Sequence, residues 1–361
     1  MNILITGASG FIGSFLCEEA LNRGMDVCAG MRTHSSRKYL TDSRLSFVVL
    51  DLSDKERLLT QLSDYKSSNG KWDVIVHAGG ATKCLNSDDF YKHNYQCTRN
   101  FVESLKQLDM LPEQFIYISS LSVLGPCRDD MVAKHTIKVD DAVKADQSFV
   151  DTYTVKDSVY ESIMSDDVPV PNTAYGKSKV MSERYLAESG INYTVFRPTG
   201  VYGPREKDYF LMAQSIKGHF DSAVGFQPQE ITFVYVRDLV NAILAAVGKD
   251  VCGKVYSVSD GFVYNSRAFS DLIQRELGVK RVIHVTFPVW FLGLVCYVSG
   301  FFSRLTGKMN ALNMDKFNIL KQRNWQCDIT PMIKELGYVP EWNLERGVKE
   351  TIEWYKKEKW L

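Results

Sequence analysis

Short apolar runs alternate with longer stretches of helical character through the first 120 residues of the chain. The apolar runs cover 2–6, 26–31, 45–50, 72–77 and 114–119, and helices are predicted between them at 11–21, 54–65 and 94–108. This alternation predicts an α/β fold built on a doubly wound parallel sheet. Ligands of such a sheet bind beyond the carboxyl ends of the strands, which is where Gly10, Asp51, Ala78 and Ser120 fall.

The turn after the first run carries glycines at positions 7, 10 and 13. This spacing allows a tight exit from the strand, the approach of a pyrophosphate to bare backbone, and close packing of helix on strand. The free N–H groups at the start of the next helix would face that phosphate. The sequence therefore predicts a dinucleotide site formed by Gly7, Ser9, Gly10, Phe11, Ile12 and Gly13.

The end of the second run indicates which dinucleotide is bound. Arg32 stands nineteen residues after Gly13, where an acid would bind the ribose hydroxyls of NAD and an arginine suits a 2′-phosphate. Arg37 and Lys38 follow, and no Asp or Glu occurs between positions 31 and 39. We therefore expect NADP. The alternative is that Arg32 lies over the adenine with NAD bound.

Two more strand ends are predicted to reach the cofactor. Asp51 and Leu52 follow the third strand and are expected at the adenine amino group. The fourth strand opens into small residues that are expected beside the dinucleotide, namely Ala78, Gly79 and Gly80. His77 ends that strand and is interpreted as a structural hydrogen-bonding residue without a chemical role.

Candidate catalytic residues follow the fifth strand. Tyr175 and Lys179 are four residues apart, so they share one face of a helix. An ammonium group there should lower the pKa of the phenol and hold the nicotinamide ribose. The hydroxyl of Ser120, at the strand end, would bind the substrate oxygen and orient it toward Tyr175.

Several motifs in this order resemble the extended short-chain dehydrogenases/reductases, which include sugar-nucleotide epimerases, dihydroflavonol-type reductases and 3β-hydroxysteroid dehydrogenases. They are TGASGFIG from Thr6, DL at Asp51, HAGGAT from His77, ISSLSVLG from Ile118, YGKSK from Tyr175, RPTGVYGPR from Arg197 and FVYVRDLV from Phe233. The last third is more loosely similar to the steroid-dehydrogenase branch, through WQCD at Trp325, ELGYVP at Glu335 and a closing helix at 344–355.

The resemblance implies a Rossmann-type domain over 1–198, with 231–257 returning to it, and a smaller carboxyl-terminal substrate lobe over 199–361 that closes over the substrate. It implies that Ser120, Tyr175 and Lys179 are catalytic and that Asn94 positions them. The nicotinamide carboxamide would be lined by Pro198, Thr199 and Val201.

The resemblance also implies a homodimer, formed by the helices at 94–108 and 175–188 and their copies. Interface candidates on these helices are Phe101, Leu105, Val180 and Tyr185.

Departures from the family narrow the substrate. The segment from Ser119 to Ser122 lacks the acidic residues with which sugar dehydratases drive elimination. Gly200 stands where sugar-nucleotide enzymes commonly have asparagine, and Ile231 where they often have arginine. Both groups serve the substrate diphosphate, whose charge needs donors. Their absence favours a less charged substrate.

An insertion at 127–171 separates Ser120 from Tyr175 and holds ten acidic against five basic residues. Long insertions beside a site are often lids or binding loops, although a solvated excursion without a role is the alternative.

The segment 285–303 carries no charge and is flanked by Lys280, Arg281, Arg304 and Lys308. Its length is near that of a membrane span, but Pro288 and Gly293 weaken that interpretation. Burial in the substrate lobe and contact with a membrane surface stay open as alternatives.

Composition is that of a globular protein, with 45% hydrophobic residues and 43 basic against 43 acidic residues. The charge balance gives no reason to expect nucleic acid as a partner. The eight cysteines are scattered without metal-ligand spacing, so we expect no metal and a reducing compartment. With no signal peptide recognisable, a cytoplasmic protein is expected, with membrane association as the alternative.

The function predicted from these features is NADP-dependent reduction of a ketone, or oxidation of the alcohol, on an apolar substrate such as a 3-oxo lipid or sterol-like molecule. A sugar or nucleotide-sugar epimerase with tightly bound cofactor is one alternative. A non-catalytic protein that senses its dinucleotide is another.

Overall fold

The computed structural model describes residues 1–126, 146–155, 158, 160–306 and 313–361, with the side chains of 302–306 left out. Part of the predicted acidic insertion (127–145, 156–157 and 159) and Lys308 thus lie outside the described residues. The chain divides into two compact units. Unit 1 comprises 1–123, 174–197 and 240–256, and unit 2 comprises 124–173, 198–239 and 257–361. The insertion is thus grouped with unit 2, and the substrate-binding role of 199–361 stays a prediction.

The described strands and helices follow one another along the chain as predicted for an α/β fold. The strands are β1 Asn2–Thr6, β2 Asp26–Met31, β3 Ser46–Val49, β4 Val74–His77, β5 Gln114–Ile118, β6 Tyr193–Pro198, β7 Gly200–Tyr202, β8 Phe220–Val224, β9 Glu230–Ile231, β10 Phe233–Tyr235, β11 Val255–Val258, β12 Tyr264–Asn265 and β13 Ile283–Phe287. The helices are α1 Phe11–Asn22, α2 Lys55–Asn69, α3 Ser87–Phe90, α4 Cys97–Gln107, α5 Gln147–Tyr153, α6 Ala174–Glu188, α7 Asp208–Lys217, α8 Val236–Ala245, α9 Ala268–Leu277, α10 Val289–Thr306, α11 Met314–Leu320, α12 Thr330–Leu336 and α13 Leu344–Lys357.

The seven-stranded sheet on which unit 1 is built has the order β11-β6-β5-β4-β1-β2-β3, and the pairings from β3 to β6 are parallel. All residues of β4 and β5 are buried, as expected for strands covered by helices on both faces. Because β1 pairs with both β2 and β4, the glycine turn after β1 lies where the strand order reverses. This is the position at which doubly wound sheets bind dinucleotides. The predicted Rossmann-type fold is confirmed.

Two predicted elements need correction. The helix predicted over 94–108 is preceded by α3 and by a π-helix, Tyr91–Gln96, so that Asn94 lies in π-helical rather than α-helical geometry. The apolar segment 285–303 is divided between β13, which pairs with β8, and α10. Trp290 and Phe301 of α10 are exposed, so of the two alternatives left open for this segment, burial of the whole segment does not agree with the structure. Within the described part of the chain, none of the helices combines the length and apolar content that crossing a bilayer requires.

Three of the residues predicted to be covered in a dimer are already covered within the chain. Phe101, Leu105 and Val180 are buried in unit 1, so they are not available to a second copy. Exposed apolar residues nearby are Tyr91 of the π-helix and Met181 of α6. The surface predicted for the dimer was therefore wrong in these residues, because helices of a doubly wound fold turn their large apolar side chains toward the sheet.

Candidate active site

The glycine turn after β1 is packed so closely that side chains are excluded. Gly7 has a φ of +68°, and a Cβ added there would lie 2.9 Å from the backbone of Ala78. A Cβ on Gly13 would lie 2.2 Å from the carbonyl oxygen of Gly7. The small residues after β4 are therefore explained by their approach to the turn. Together these contacts leave a surface of bare backbone, as a pyrophosphate site requires.

The amino terminus of α1 suits an anion. Gly10 is its N-cap, no side chain caps the helix, and its first turn contains no acidic residue. The first N–H groups of a helix have no partner within the helix, and the helix dipole favours negative charge there. The residues present therefore fit the diphosphate of a dinucleotide.

The predicted adenosine contacts lie on the loops after β2 and β3. Arg32 and Arg37 are exposed, and the guanidinium of Arg37 lies 4.0 Å from the ring centre of Phe47. Asp51 accepts hydrogen bonds from the backbone and hydroxyl of Ser53, at 3.2 and 2.6 Å. The carbonyl of Leu52 accepts one from Asn100. Two cations thus remain on the surface where a 2′-phosphate was predicted.

Ser120 and Tyr175 are brought together, although 54 residues separate them in the chain. The hydroxyl of Ser120 lies close enough to the phenol of Tyr175 to influence its pKa, and the Ser122 hydroxyl donates to Ser120 Oγ at 3.0 Å. The Tyr175 ring meets the edge of Phe90 at 5.9 Å, which fixes its orientation. Burial raises the pKa of Tyr175 to about 12, and the Ser120 hydroxyl opposes this rise.

Lys179 lies one helical turn after Tyr175 and is buried. Its ammonium donates to the carbonyl oxygen of Ile118 at 2.8 Å and lies 4.7 Å from the centre of the Tyr117 ring. Burial lowers the pKa of Lys179 to about 8, and the charge of Glu183 opposes this shift. Glu183 itself is paired with Arg197 at 2.6 Å. Burial raises the pKa of Tyr175 above its ordinary value, and the predicted lowering of this pKa by Lys179 stays a prediction.

Asn94 holds the loop after β4 against α6. Its side-chain amide donates to the Ala81 carbonyl at 3.1 Å and to Ser178 Oγ at 2.9 Å, and its Oδ1 accepts from the Ala81 N–H at 2.7 Å. A Cβ on Gly80 would lie 2.8 Å from Asn94 Oδ1. The π-helix is thus found where the polar side chain turns inward, as is frequent at functional sites.

The model of the NAD dependent epimerase/dehydratase family matches residues 3–259 of this chain. The chain belongs to this family. It is therefore an NAD(P)-dependent enzyme of the short-chain dehydrogenase/reductase type, and it binds a nicotinamide dinucleotide.

Relatives of this epimerase/dehydratase-family chain act on different substrates. The 3-beta-hydroxysteroid dehydrogenase of Mycolicibacterium neoaurum is 22% identical, with 98% of this chain and 91% of the relative covered. UDP-glucose 4-epimerase of Thermotoga maritima, solved with UDP-glucose, has a TM-score of 0.73 at 20% identity, covering 99% of this chain and all of the other. dTDP-glucose 4,6-dehydratase of Bacillus anthracis, solved with NAD, has a TM-score of 0.70 at 20% identity, covering 100% and 98%. Substrate choice is not resolved by these similarities.

The remaining predicted cofactor residues of this family member lie in unit 2. Pro198 ends β6, and the Thr199 hydroxyl donates to the Thr232 carbonyl at 2.9 Å. Val201 pairs with Val234 between β7 and β10. Their contact with the nicotinamide stays a prediction.

The hydrogen-bond partners of His77 were not predicted from the sequence. His77 is fully buried. Its Nδ1 forms a hydrogen bond with Thr6 Oγ1 at 2.7 Å, and its Nε2 forms one with Thr98 Oγ1 at 3.0 Å. The Thr98 hydroxyl donates to the Asn94 carbonyl at 2.7 Å, and Thr6 Oγ1 accepts from the Gly79 N–H at 3.2 Å. Because the Thr98 hydroxyl donates its hydrogen to the Asn94 carbonyl, Thr98 must accept the hydrogen bond from His77. The ring proton of His77 is therefore on Nε2, and Nδ1 accepts from the Thr6 hydroxyl.

The result is a one-way chain of hydrogen bonds from the cofactor turn, through His77, to the helix that carries Asn94. Burial lowers the pKa of His77 to about 3, and the Lys179 charge lowers it further, so the ring is neutral. The interpretation of His77 as a structural hydrogen-bonding residue agrees with these contacts. The only signal in the sequence was its position at a strand end among small residues.

Proposed function

We propose that this protein reduces the carbonyl group of an apolar substrate, with Ser120, Tyr175 and Lys179 as its catalytic residues. The observation that carries the proposal is that the Ser120 hydroxyl lies close enough to the phenol of Tyr175 to lower its pKa. Two such groups, side by side, can hold one substrate oxygen. The dinucleotide, when bound, supplies the hydride that adds to the carbonyl carbon.

Each residue then has a separate task. Ser120 donates a hydrogen bond that holds the carbonyl oxygen, and Tyr175 transfers its phenolic proton to that oxygen as the hydride arrives at the carbon. A pKa of about 12 keeps the phenol protonated at neutral pH, which suits a proton donor and supports the reductive direction. The Lys179 ammonium stabilises the phenolate that remains, until it is reprotonated from water.

An uncharged substrate is supported by the surroundings of Gly200. A Cβ at this position would lie 2.6 Å from the Tyr209 hydroxyl and 3.2 Å from the Phe233 ring, so an asparagine does not fit without displacing them. Tyr209 is stacked on Phe269 at 4.6 Å, and Phe233 contacts Phe269 at 4.9 Å. Aromatic side chains thus occupy the space of the donor that commonly serves a sugar-nucleotide substrate.

NADP is the cofactor we propose, on the basis of Arg32. This arginine and Arg37 are exposed at the end of β2, and a guanidinium forms charge-assisted pairs with phosphate oxygens. The dehydratase from Bacillus anthracis was solved with NAD, so NAD is the competing possibility.

The function is tested by turnover of the purified protein with NADPH or NADH on 3-oxosteroids, 3-oxo lipids, and UDP- and dTDP-sugars. We expect consumption of NADPH only with the apolar ketones. Interconversion of a nucleotide sugar without net consumption of cofactor would overturn the proposal and identify an epimerase. Dinucleotide binding without turnover of any carbonyl in the panel would contradict it in favour of a sensor.

A homodimer is proposed through the exposed face of the π-helix and α6, which pack against each other. Tyr91 and Met181 are exposed there. Light scattering should give twice the chain mass of 41.0 kDa at micromolar concentration, and Met181→Glu should return the protein to a monomer. A wild-type monomer contradicts this assembly.

A further inference from the structure

An exposed apolar stripe runs along α10 in unit 2. Trp290, Leu294, Tyr297 and Phe301 are 69%, 53%, 69% and 56% exposed, and Val298 is beside them. Their spacing of four, three and four residues puts them on one side of the helix. Single exposed apolar residues are ordinary, but a row of aromatic side chains along one helix face marks an interaction surface.

The opposite side of α10 is held by the protein. Cys296 is fully buried and Leu292 nearly so, and a Cβ on Gly293 would lie 3.3 Å from the Phe317 ring of α11. The helix is therefore anchored through one face, so the stripe is the face left outward. Rotating the helix to hide Trp290 would expose Cys296 and Leu292 instead.

The charged residues in the sequence around the stripe indicate which kind of partner it binds. No Asp or Glu occurs between Glu276 and Asp315, whereas this stretch contains Lys280, Arg281, Arg304 and Lys308. Lys280 and Arg281 are exposed just before β13, the strand that leads into α10. An apolar face with basic residues before and after it complements an anionic lipid surface. A second copy docked on the same face would bring a stretch of the same basic charge to it and not the negative charge that complements it.

We propose that α10 docks in the plane of an anionic lipid bilayer, with its exposed stripe in the headgroup–acyl boundary. Trp290 and Tyr297, the most exposed members, are the residue types that favour this depth. The anchored opposite face keeps the helix in the interface, because insertion across the bilayer would tear it from α11. The proposal does not depend on the reaction that the enzyme catalyses.

The test is flotation of the full chain with vesicles of phosphatidylcholine alone or with added phosphatidylserine. Wild-type protein should float with the anionic vesicles and should be released at high salt. Trp290→Ser/Tyr297→Ser should reduce the partition coefficient by on the order of tenfold or more. Lys280→Ser/Arg281→Ser should reduce it by about fivefold per residue and weaken the salt dependence.

Matched controls separate docking from loss of fold and from catalysis. Phe226→Ser removes an aromatic residue that is 74% exposed but lies outside α10, and it should leave flotation unchanged. Tyr175→Phe should also float like the wild type, even if it is inactive. The proposal is overturned if wild-type protein floats with neither vesicle, or if Phe226→Ser loses as much binding as the α10 variant. Unchanged flotation of Trp290→Ser/Tyr297→Ser also overturns it, as does conversion from dimer to monomer by that variant, since a second copy would then be what covers the stripe.

Discussion

The candidate active site of unit 1 and helix α10 of unit 2 reverse the usual distribution of polar and apolar side chains in opposite ways. In unit 1, Lys179, Asn94 and His77 are buried, and each is hydrogen-bonded. On α10, Trp290 and Tyr297 are exposed. Buried polar groups and exposed aromatic rows are both costly unless something requires them.

The two regions differ in how the cost is met. The buried groups of unit 1 satisfy one another within the chain, so their arrangement is fixed before any ligand arrives. Trp290 and Tyr297 of the α10 stripe are 69% exposed among the described residues, and we propose that a lipid surface covers them. Chemistry at a reacting atom needs preorganised groups, whereas docking needs only an accessible face.

The largest effect on turnover is expected from removing the phenolic oxygen of Tyr175. Tyr175→Phe keeps the ring against Phe90 but loses the proton donor, so kcat should fall by about 10²–10⁴. Dinucleotide affinity, measured by fluorescence titration, should change little. Tyr185→Phe removes a hydroxyl from the same helix and should keep full activity. Equal activity of both variants would show that Tyr175 is not the proton donor.

A smaller effect is expected at Arg32, which is exposed like the α10 stripe but is proposed to bind the 2′-phosphate of NADP. Arg32→Ala should weaken NADPH by about 1.5–3 kcal/mol and NADH much less, because only NADPH offers a phosphate to the guanidinium. Isothermal titration measures both affinities. Arg44→Ala, which removes an exposed arginine paired with Asp42 at 2.7 Å, is the matched control. Equal affinity of wild-type protein for the two cofactors would exclude the assignment.

Sequence patterns were sufficient for the sheet because buried parallel strands and glycine turns leave strong local signals. The predicted limits of β1 and β2 agree with the structure, and the resemblance supplied the pairing of Ser120 with Tyr175 across 54 residues. Local signals do not encode which face of a helix is covered. The sequence therefore left burial and membrane contact of the apolar segment open as alternatives, and among the described side chains of α10 only Leu292 and Cys296 are buried.

The pKa values of the site residues could not be predicted from the sequence for a similar reason. The i,i+4 spacing indicated an ammonium beside a phenol, but burial acts on both groups and moves both pKa values toward the neutral forms. The π-helix at Asn94 and the two partners of His77 depend on contacts between segments far apart in the chain. Such contacts have no periodic trace in a single sequence.

The hydrogen-bond chain through His77 can be divided by two substitutions. His77→Asn offers an acceptor toward Thr6 and His77→Gln a donor toward Thr98, so each keeps one end of the chain. Leaving a buried polar group without a partner costs about 1–3 kcal/mol, so both should lower the free energy of unfolding in urea by that order.

The two variants should differ in function. We expect His77→Asn to keep cofactor affinity and lose turnover, and His77→Gln to do the reverse. If His77→Leu lowers stability but changes neither affinity nor turnover, the histidine supports the core and does not position the site.

The smallest effect expected is a pH dependence set by burial of Lys179. Its pKa of about 8 lies below the ordinary value of 10.5, so the side chain loses its positive charge as the pH rises through 8. Above that pH the phenolate formed in the reaction lacks its neighbouring cation. The reductive kcat/KM, which reports the free enzyme, should therefore be level below about pH 7 and fall by up to about tenfold per pH unit above 8. Tyr175 does not account for this fall, because its pKa is about 12.

Lys179→Arg identifies the titrating group. A guanidinium stays protonated across this range, so the variant should show no descending limb between pH 7 and 9, whatever its residual rate. A limb that persists near pH 8 in this variant would assign the titration to a different group. Loss of the limb would show that Lys179 is the group that titrates near pH 8. Its low pKa would then be the consequence of burying a charged group inside the protein and not at its surface.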